Sequence, residues 1–308
     1  MEHIRQAVER TKAPGFGEAT THGPATTAQH SSQLALGLNA GGAQSAARAV
    51  MLDSARLEDN RIIAHNIADP RARSFDMLRT QVLQAMDASS WQILGVTSPT
   101  AGCGKSVIAT NLAMSIARQR ERSVLLVDLD MQKPQIAKLL RMKCDHGLMS
   151  VLEGRTQLMS SIIQARVGNQ QLLVLPCEAS TMDSSEWMAS RQMSALLQDI
   201  RRIFKSMTVI FDLPPVLFSD DVISVLPQID CALFVTAAGH TKTSEIKECY
   251  KHFESTPVVR VVVNKAVDAS KSYYYPYSQL ARGQSGRRTL GFNSVTRFLD
   301  RLANVGHR

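Results

Sequence analysis

Aromatic residues are scarce, at 5% of the 308-residue sequence, and only five of them are tyrosines. Four of those five, Tyr273, Tyr274, Tyr275 and Tyr277, sit in one polar, proline-interrupted stretch, "KSYYYPYS". A folded core scatters such rings, because each fills its own gap in the packing. Clustered hydroxyls outside any apolar pattern imply a surface made to be touched or modified. Long hydrophobic runs are also missing. No stretch of about 18 apolar residues exists, so no transmembrane helix is expected. The opening "MEHIRQAVERTKAPG" has no apolar signal-peptide segment, which predicts a cytoplasmic location. The five cysteines (Cys103, Cys144, Cys177, Cys231, Cys249) form no CxxC pair, so they read as reduced thiols and exclude a disulfide framework or a zinc site. A net charge of +8 is spread along the chain with no nucleic-acid module, so no nucleic-acid partner is expected.

What is present has a clear order. Residues 13 to about 50 are rich in Ala, Gly, Thr, Ser and Gln, and residues 1–60 are expected to be a flexible leader. Phe75, Leu78, Val82 and Met86 then recur at helical spacing. From Trp91 six short apolar runs follow: "WQILGVT", "SVLLVDLD", "QLLVLP", "TVIFD", "CALFVT" and "VVRVVVN". Helical patterns separate most of them, including Ile108, Leu112 and Ile116, and later Ile246, Tyr250 and Phe253. Strands buried on both sides and alternating with helices predict an α/β domain over residues 61–268, a mostly parallel sheet with helices on both faces. Residues 269–308 are expected to hold the tyrosine cluster, a basic linker and a short amphipathic helix with an apolar stripe of Val295, Phe298, Leu299 and Leu302. At most peripheral membrane contact is expected of that helix.

The run "ILGVT" leads into "SPTAGCGKS" and then a helix, the context a phosphate loop requires. Thr100, Ala101, Gly102, Cys103, Gly104, Lys105, Ser106 and Val107 are the candidate nucleotide-binding residues. Gly102 and Gly104 let backbone N–H groups approach phosphate oxygens at a helix N-terminus. Lys105 is placed to reach the β- and γ-phosphates, and the Ser106 hydroxyl to ligate Mg²⁺. Pro99 stands where the generic motif has its first glycine. Asp128 and Asp130 end one buried run, two residues apart and so on one side of an extended chain. Asp212 ends another. Buried acids are costly unless paired or metal-bound, so three at strand ends beside a GKS loop predict a Mg²⁺ site.

The ordered set "SPTAGCGKSVIATNLA", "VLLVDLDMQKP", "VIFDLPPVLFSDD" and a tyrosine cluster after "VVVNKAVD" resembles the bacterial tyrosine kinases of capsule and exopolysaccharide biosynthesis, over roughly residues 70–280. The resemblance implies a P-loop fold related to partitioning and division-site ATPases, using ATP and Mg²⁺ to phosphorylate tyrosine. It implies catalytic roles for Lys105, Asp128, Asp130 and Asp212, metal binding by Ser106, Asp128 and Asp212, and adenine contact by Asn264. It makes Tyr273, Tyr274, Tyr275 and Tyr277 the phosphate acceptors of an autokinase that regulates exopolysaccharide production. It further implies a homo-oligomer recruited to the inner face of the membrane by a polysaccharide co-polymerase activator, with sugar-nucleotide enzymes as possible further substrates. The alternative on the same residues is a non-kinase ATPase switch acting on such a membrane partner.

Several positions depart from the family pattern. Arg73, Asp76 and Arg79 stand where it has Glu-x-x-Arg-x-x-Arg for ring assembly, so two charges are inverted. Gln132 replaces an arginine, and Thr100 replaces the signature lysine of the partitioning relatives. Cys103 occupies a loop position where an acid is usual, which suggests a thiol open to oxidation and a redox brake on ATP binding.

Overall fold

Each of the six apolar runs is a strand in the computed structural model, which describes residues 47–218 and 220–266. They are β2 (Ile93–Thr97), β3 (Val124–Asp128), β5 (Gln170–Leu175), β6 (Thr208–Asp212), β7 (Cys231–Ala237) and β8 (Val258–Asn264). Two further strands, β1 (Arg48–Met51) and β4 (Ile163–Val167), complete an eight-stranded sheet of order β1-β4-β5-β3-β6-β2-β7-β8. All neighbours pair in parallel except β4 and β5, so β1 and β4 run against the other six.

Successive strand residues point to opposite faces, and the chain uses that alternation to build two cores. Ile93, Leu125, Val127, Val209, Phe211 and Phe234 pack on one side with Met193, Leu196, Leu197 and Ile200 of helix Arg191–Ile203. Leu94, Val96, Leu126, Ile210, Leu233 and Val235 pack on the other with Ile108, Leu112 and Ile116 of helix Lys105–Ala117. Helix Ala72–Ala88 covers that second layer through Val82, Leu83 and Met86, as its spacing predicts. Phe211 and Phe234 have no exposed surface, and burying each side chain contributes about 2–3 kcal/mol. Phe253 and Tyr250 meet Phe234 edge-on, at ring separations of 5.7 and 5.9 Å, which realises the expected shared face.

One expectation about the fold needs correction. The leader does not extend to residue 60, because β1 and helix Ser54–Asp59 belong to the domain. Four residues are enough for an edge strand when a partner edge is offered, here by β4. Leu52 and Leu57 then anchor the connection in the core. The antiparallel β4–β5 hairpin was also missed, although Gly168 and Asn169 supply the two-residue turn signal and Gly168 takes φ +54°. The tyrosine cluster and the amphipathic stripe of Val295 to Leu302 lie outside the described residues. No helix among the described residues is long and apolar enough to cross a membrane.

Candidate active site

In an open parallel sheet ligands bind where neighbouring strands connect in opposite directions, beyond the carboxyl ends. Here that place is around β2, which has β6 on one side and β7 on the other. Register brings the predicted groups together: Val96 pairs with Asp212, and Asp128 lies directly opposite Asp212. The loop after β2 reaches helix Lys105–Ala117 through Gly102 at φ +81° and Gly104 at φ +90°. A side chain at Gly104 would place its Cβ 2.2 Å from Asn264 Nδ2, so glycine is required twice over.

The segment after β6 runs alongside the loop. Val216 and Leu217 donate to the carbonyls of Ser98 and Pro99 at 2.8 and 3.1 Å, and Thr97 Oγ1 donates to the Pro214 carbonyl at 2.6 Å. Between these walls lies a cavity of about 290 Å³. Ala101, Gly102, Gly104, Lys105, Ser106 and Val107 form its phosphate-loop side. Asp130, Gln132 and Lys133 form another side, and Leu139, Pro214, Pro215 and Phe218 make it largely apolar beyond.

Lys105 is the centre of charge. Its Nζ donates to Asp130 Oδ2 at 2.6 Å and to Ser106 Oγ at 3.2 Å, and stands 3.5 Å from Asp212 Oδ1. Burial alone would lower the lysine pKa, but the Asp212 and Asp130 charges outweigh it and hold the ammonium above its ordinary value. Burial raises the Asp212 carboxyl, with Lys105 and Ser106 opposing. Asp128 is pushed up to about 8 by burial first and the Asp212 charge second.

The two aspartates of "DLD" are not equivalent. Asp130 lines the cavity, whereas Asp128 does not: its Oδ2 accepts from Gln135 and Ile136 backbone N–H groups at 3.0 and 2.9 Å, holding the start of the short helix Ile136–Leu139. Asp128 Oδ1 and Asp212 Oδ2 are buried with no hydrogen-bond partner. Open oxygen donors suit a hard divalent cation, and Ser106 and Asp212 are the candidates to hold one.

The remaining candidates divide. Thr100 contributes its carbonyl to Ser98 Oγ at 2.9 Å and does not line the cavity. Asn264 sits on the other flank of the loop, where its Nδ2 donates to the Cys103 carbonyl at 2.8 Å. Cys103 is 2% exposed, with Sγ 3.6 Å from Thr241 Oγ1, so the expectation of an accessible thiol is not met: the side chain is part of the core. Gln132 donates to Ser184 Oγ at 2.8 Å, joining the wall to helix Ser184–Met188. Asp76 and Arg79 face inward, onto Ser115 and Arg118. Sequence reasoning marked the segment after β6 for its acid only. Pro214, Pro215 and Phe218 belong to the quoted motif "VIFDLPPVLFSDD", but nothing in it marked them as a cavity wall.

An AAA domain model matches residues 91–234. Tyrosine-protein kinase ptk of Acinetobacter johnsonii is 28% identical over 193 residues, covering 63% of this chain and 26% of the relative. Tyrosine-protein kinase YwqD of Bacillus subtilis is 26% identical over 223 residues, covering 71% of this chain and 92% of that one. The chain thus spans about a quarter of the longer relatives and nearly all of a shorter one. The solved kinase domain of Escherichia coli tyrosine kinase ETK matches with a TM-score of 0.59 at 25% identity, over 69% of this chain and 82% of that domain. In the domain that carries this site, the chain is similar to the bacterial tyrosine-protein kinases.

Proposed function

We propose that the chain is an ATP-dependent protein tyrosine kinase that phosphorylates its own cluster, Tyr273, Tyr274, Tyr275 and Tyr277. The observation that carries this is that Lys105 and Asp130 line one cavity, with the buried Asp212 carboxyl 3.5 Å behind the lysine, beside a glycine-turned loop at a helix N-terminus in a domain of tyrosine-kinase type. Phosphoryl transfer asks mainly for positioning and charge stabilisation, and this set supplies both.

The resting Lys105–Asp130 pair explains how the site waits. Asp130 holds the ammonium in place until phosphate oxygens compete for it, and its release frees the carboxylate next to the incoming hydroxyl. Asp130 is then the group that takes the phenol proton, because it lines the cavity while Asp128 is engaged in holding residues 135 and 136. Bound Mg²⁺ supplies positive charge to the phosphates. Ser106 and Asp212 would hold it, with the equally buried Asp128 carboxyl on the neighbouring strand beside Asp212. The backbone N–H groups of the loop and the start of helix Lys105–Ala117 orient the phosphates. Asn264 flanks the loop on the side away from the acceptor wall, where it fits a base contact.

Regulation of exopolysaccharide or capsule production, a membrane co-polymerase activator, self-assembly and recruitment to the inner membrane face complete the proposal. Each phosphate adds about −1.5 to −2 charges, and several on one short segment repel. The test is mass-spectrometric mapping of phosphotyrosine after incubation with ATP and Mg²⁺ and the native membrane partner, with Lys105→Met as control. Phosphate on Tyr273 to Tyr277 that vanishes in the variant is the expected result. Unmodified tyrosines with continued ATP turnover would establish an ATPase switch instead.

A further inference from the structure

The cavity has two unlike halves, and only the phosphate half is used by the nucleotide chemistry above. The other half is apolar, made by Leu139, Pro214, Pro215 and Phe218. Phe218 is a costly residue for this position. Its ring is 56% exposed, one of eight large hydrophobic side chains left open among the described residues. Leu217 and Ile223 on the same segment are two more, and Met182 is a fourth.

Met182 is held near by three contacts. Thr181 donates to the Met131 carbonyl at 2.9 Å, Gln132 to Ser184 at 2.8 Å, and Ser185 to Asp221 at 2.6 Å. Of these four, Phe218 lines the cavity, Leu217 precedes it in the chain, and Met182 and Ile223 lie in segments hydrogen-bonded to each other through Ser185 and Asp221. Lys133 places its ammonium 5.3 Å from the centroid of the Phe218 ring, which fixes the ring's face at the cavity edge.

We propose that Phe218 is a specificity-determining residue: with Pro214, Pro215 and Leu139 it forms the slot that receives the phenol ring of a tyrosyl acceptor. The inference rests on the kinase reading and names the acceptor half of that site. The base does not compete for this slot, because Asn264 lies on the opposite flank of the loop and does not line the cavity. A flat apolar ring entering along the prolines gains contact area that a serine or threonine side chain lacks. Its hydroxyl then arrives on the side of Asp130 and Lys105. There the phenol oxygen forms a bond to the γ-phosphorus of ATP, the bond from that phosphorus to the bridging oxygen breaks, ADP leaves, and the phenol proton passes to Asp130. Lys133 acts through Phe218 as a positioning residue.

The experiment measures steady-state phosphorylation of a synthetic tyrosine-containing peptide by the full chain with its native membrane partner, with acceptor and ATP varied separately. In Phe218→Ala the KM for the peptide rises about five- to tenfold, the loss expected for one ring–ring contact, while the KM for ATP stays within about twofold. Phe218→Tyr restores the peptide KM, and Lys133→Met raises it less than Phe218→Ala does. An unchanged peptide KM in Phe218→Ala overturns the slot alone. A parallel rise in the ATP KM overturns it by returning Phe218 to the nucleotide site. A wild-type chain that turns over ATP and never labels the peptide overturns the slot and the kinase reading together.

Discussion

Asp76 offers the sharpest test of how helix Ala72–Ala88 is held to the domain. Its Oδ1 accepts from Arg79 Nη1 at 3.1 Å, Ser115 Oγ at 2.7 Å and Arg118 Nη1 at 3.0 Å, and its Oδ2 accepts from Arg118 Nη2 at 3.3 Å. The carboxylate joins helix Ala72–Ala88 to the end of helix Lys105–Ala117, whose other end is the phosphate loop. Arg79 and Arg118 side chains are only 15% and 12% exposed, so Asp76→Ala leaves two guanidinium groups that water reaches poorly with only Ser115 and the Ala64 carbonyl as partners. Breaking a fully buried pair costs about 3–5 kcal/mol, and the 28% exposure of Asp76 reduces that to about 2–3 kcal/mol. For a domain of this size that is a fall in Tm of about 5–10 °C. The assay is urea and thermal unfolding of Asp76→Ala, Arg118→Ala and the double variant. A coupling energy of about 1 kcal/mol or more is expected. Asp76→Arg, which returns the family's sign at this position, should unfold more easily than Asp76→Ala. A coupling below about 0.3 kcal/mol, or a stable Asp76→Arg that gains self-association, would refute the reasoning.

Gly104→Ala combines two costs, about 1–2 kcal/mol for an L side chain at φ +90° and about 1 kcal/mol for driving Asn264 off the Cys103 carbonyl. In an Asn264→Ala background Gly104→Ala should cost only the first part in urea unfolding, and no cost there would contradict the conformational share. His65 is buried against Ser54 Oγ at 2.7 Å with Nδ1 unpartnered, and burial lowers its pKa despite Glu58, the Ile62 backbone and Asp69. The unfolded chain therefore binds this proton more readily, so stability is complete above about pH 6.5 and is lost as pH falls toward the lowered native value. His65→Gln should show a smaller drop in Tm between pH 7.5 and 5.5 than the parent chain, and an equal drop would assign the acid sensitivity elsewhere.

The nucleotide half of the site was legible because its signals are local. A buried strand, two glycines, a lysine and a helix occupy consecutive residues, and "TVIFD" carries its acid at its own end. The four central strands β2, β3, β6 and β7 were equally plain, since each is buried at every residue. β1 was not, because four residues at a sheet edge carry too little periodicity to outweigh the small polar residues before them. Its existence depends on β4, more than a hundred residues later.

The sequence on its own marked the candidate phosphate loop, and the order of strands and helices that delivers it. Only the tertiary structure decided the rest, for a common physical reason: a side chain's role is set by neighbours that the sequence holds far away. Alternation put Asp128 and Asp130 on one side, but the strand ends at Asp128, so one acid turned inward to hold residues 135 and 136 and the other turned to Lys105. The charges of Asp76 and Arg79 could have faced a neighbouring chain. Ser115 and Arg118, brought alongside by helix packing, took them instead.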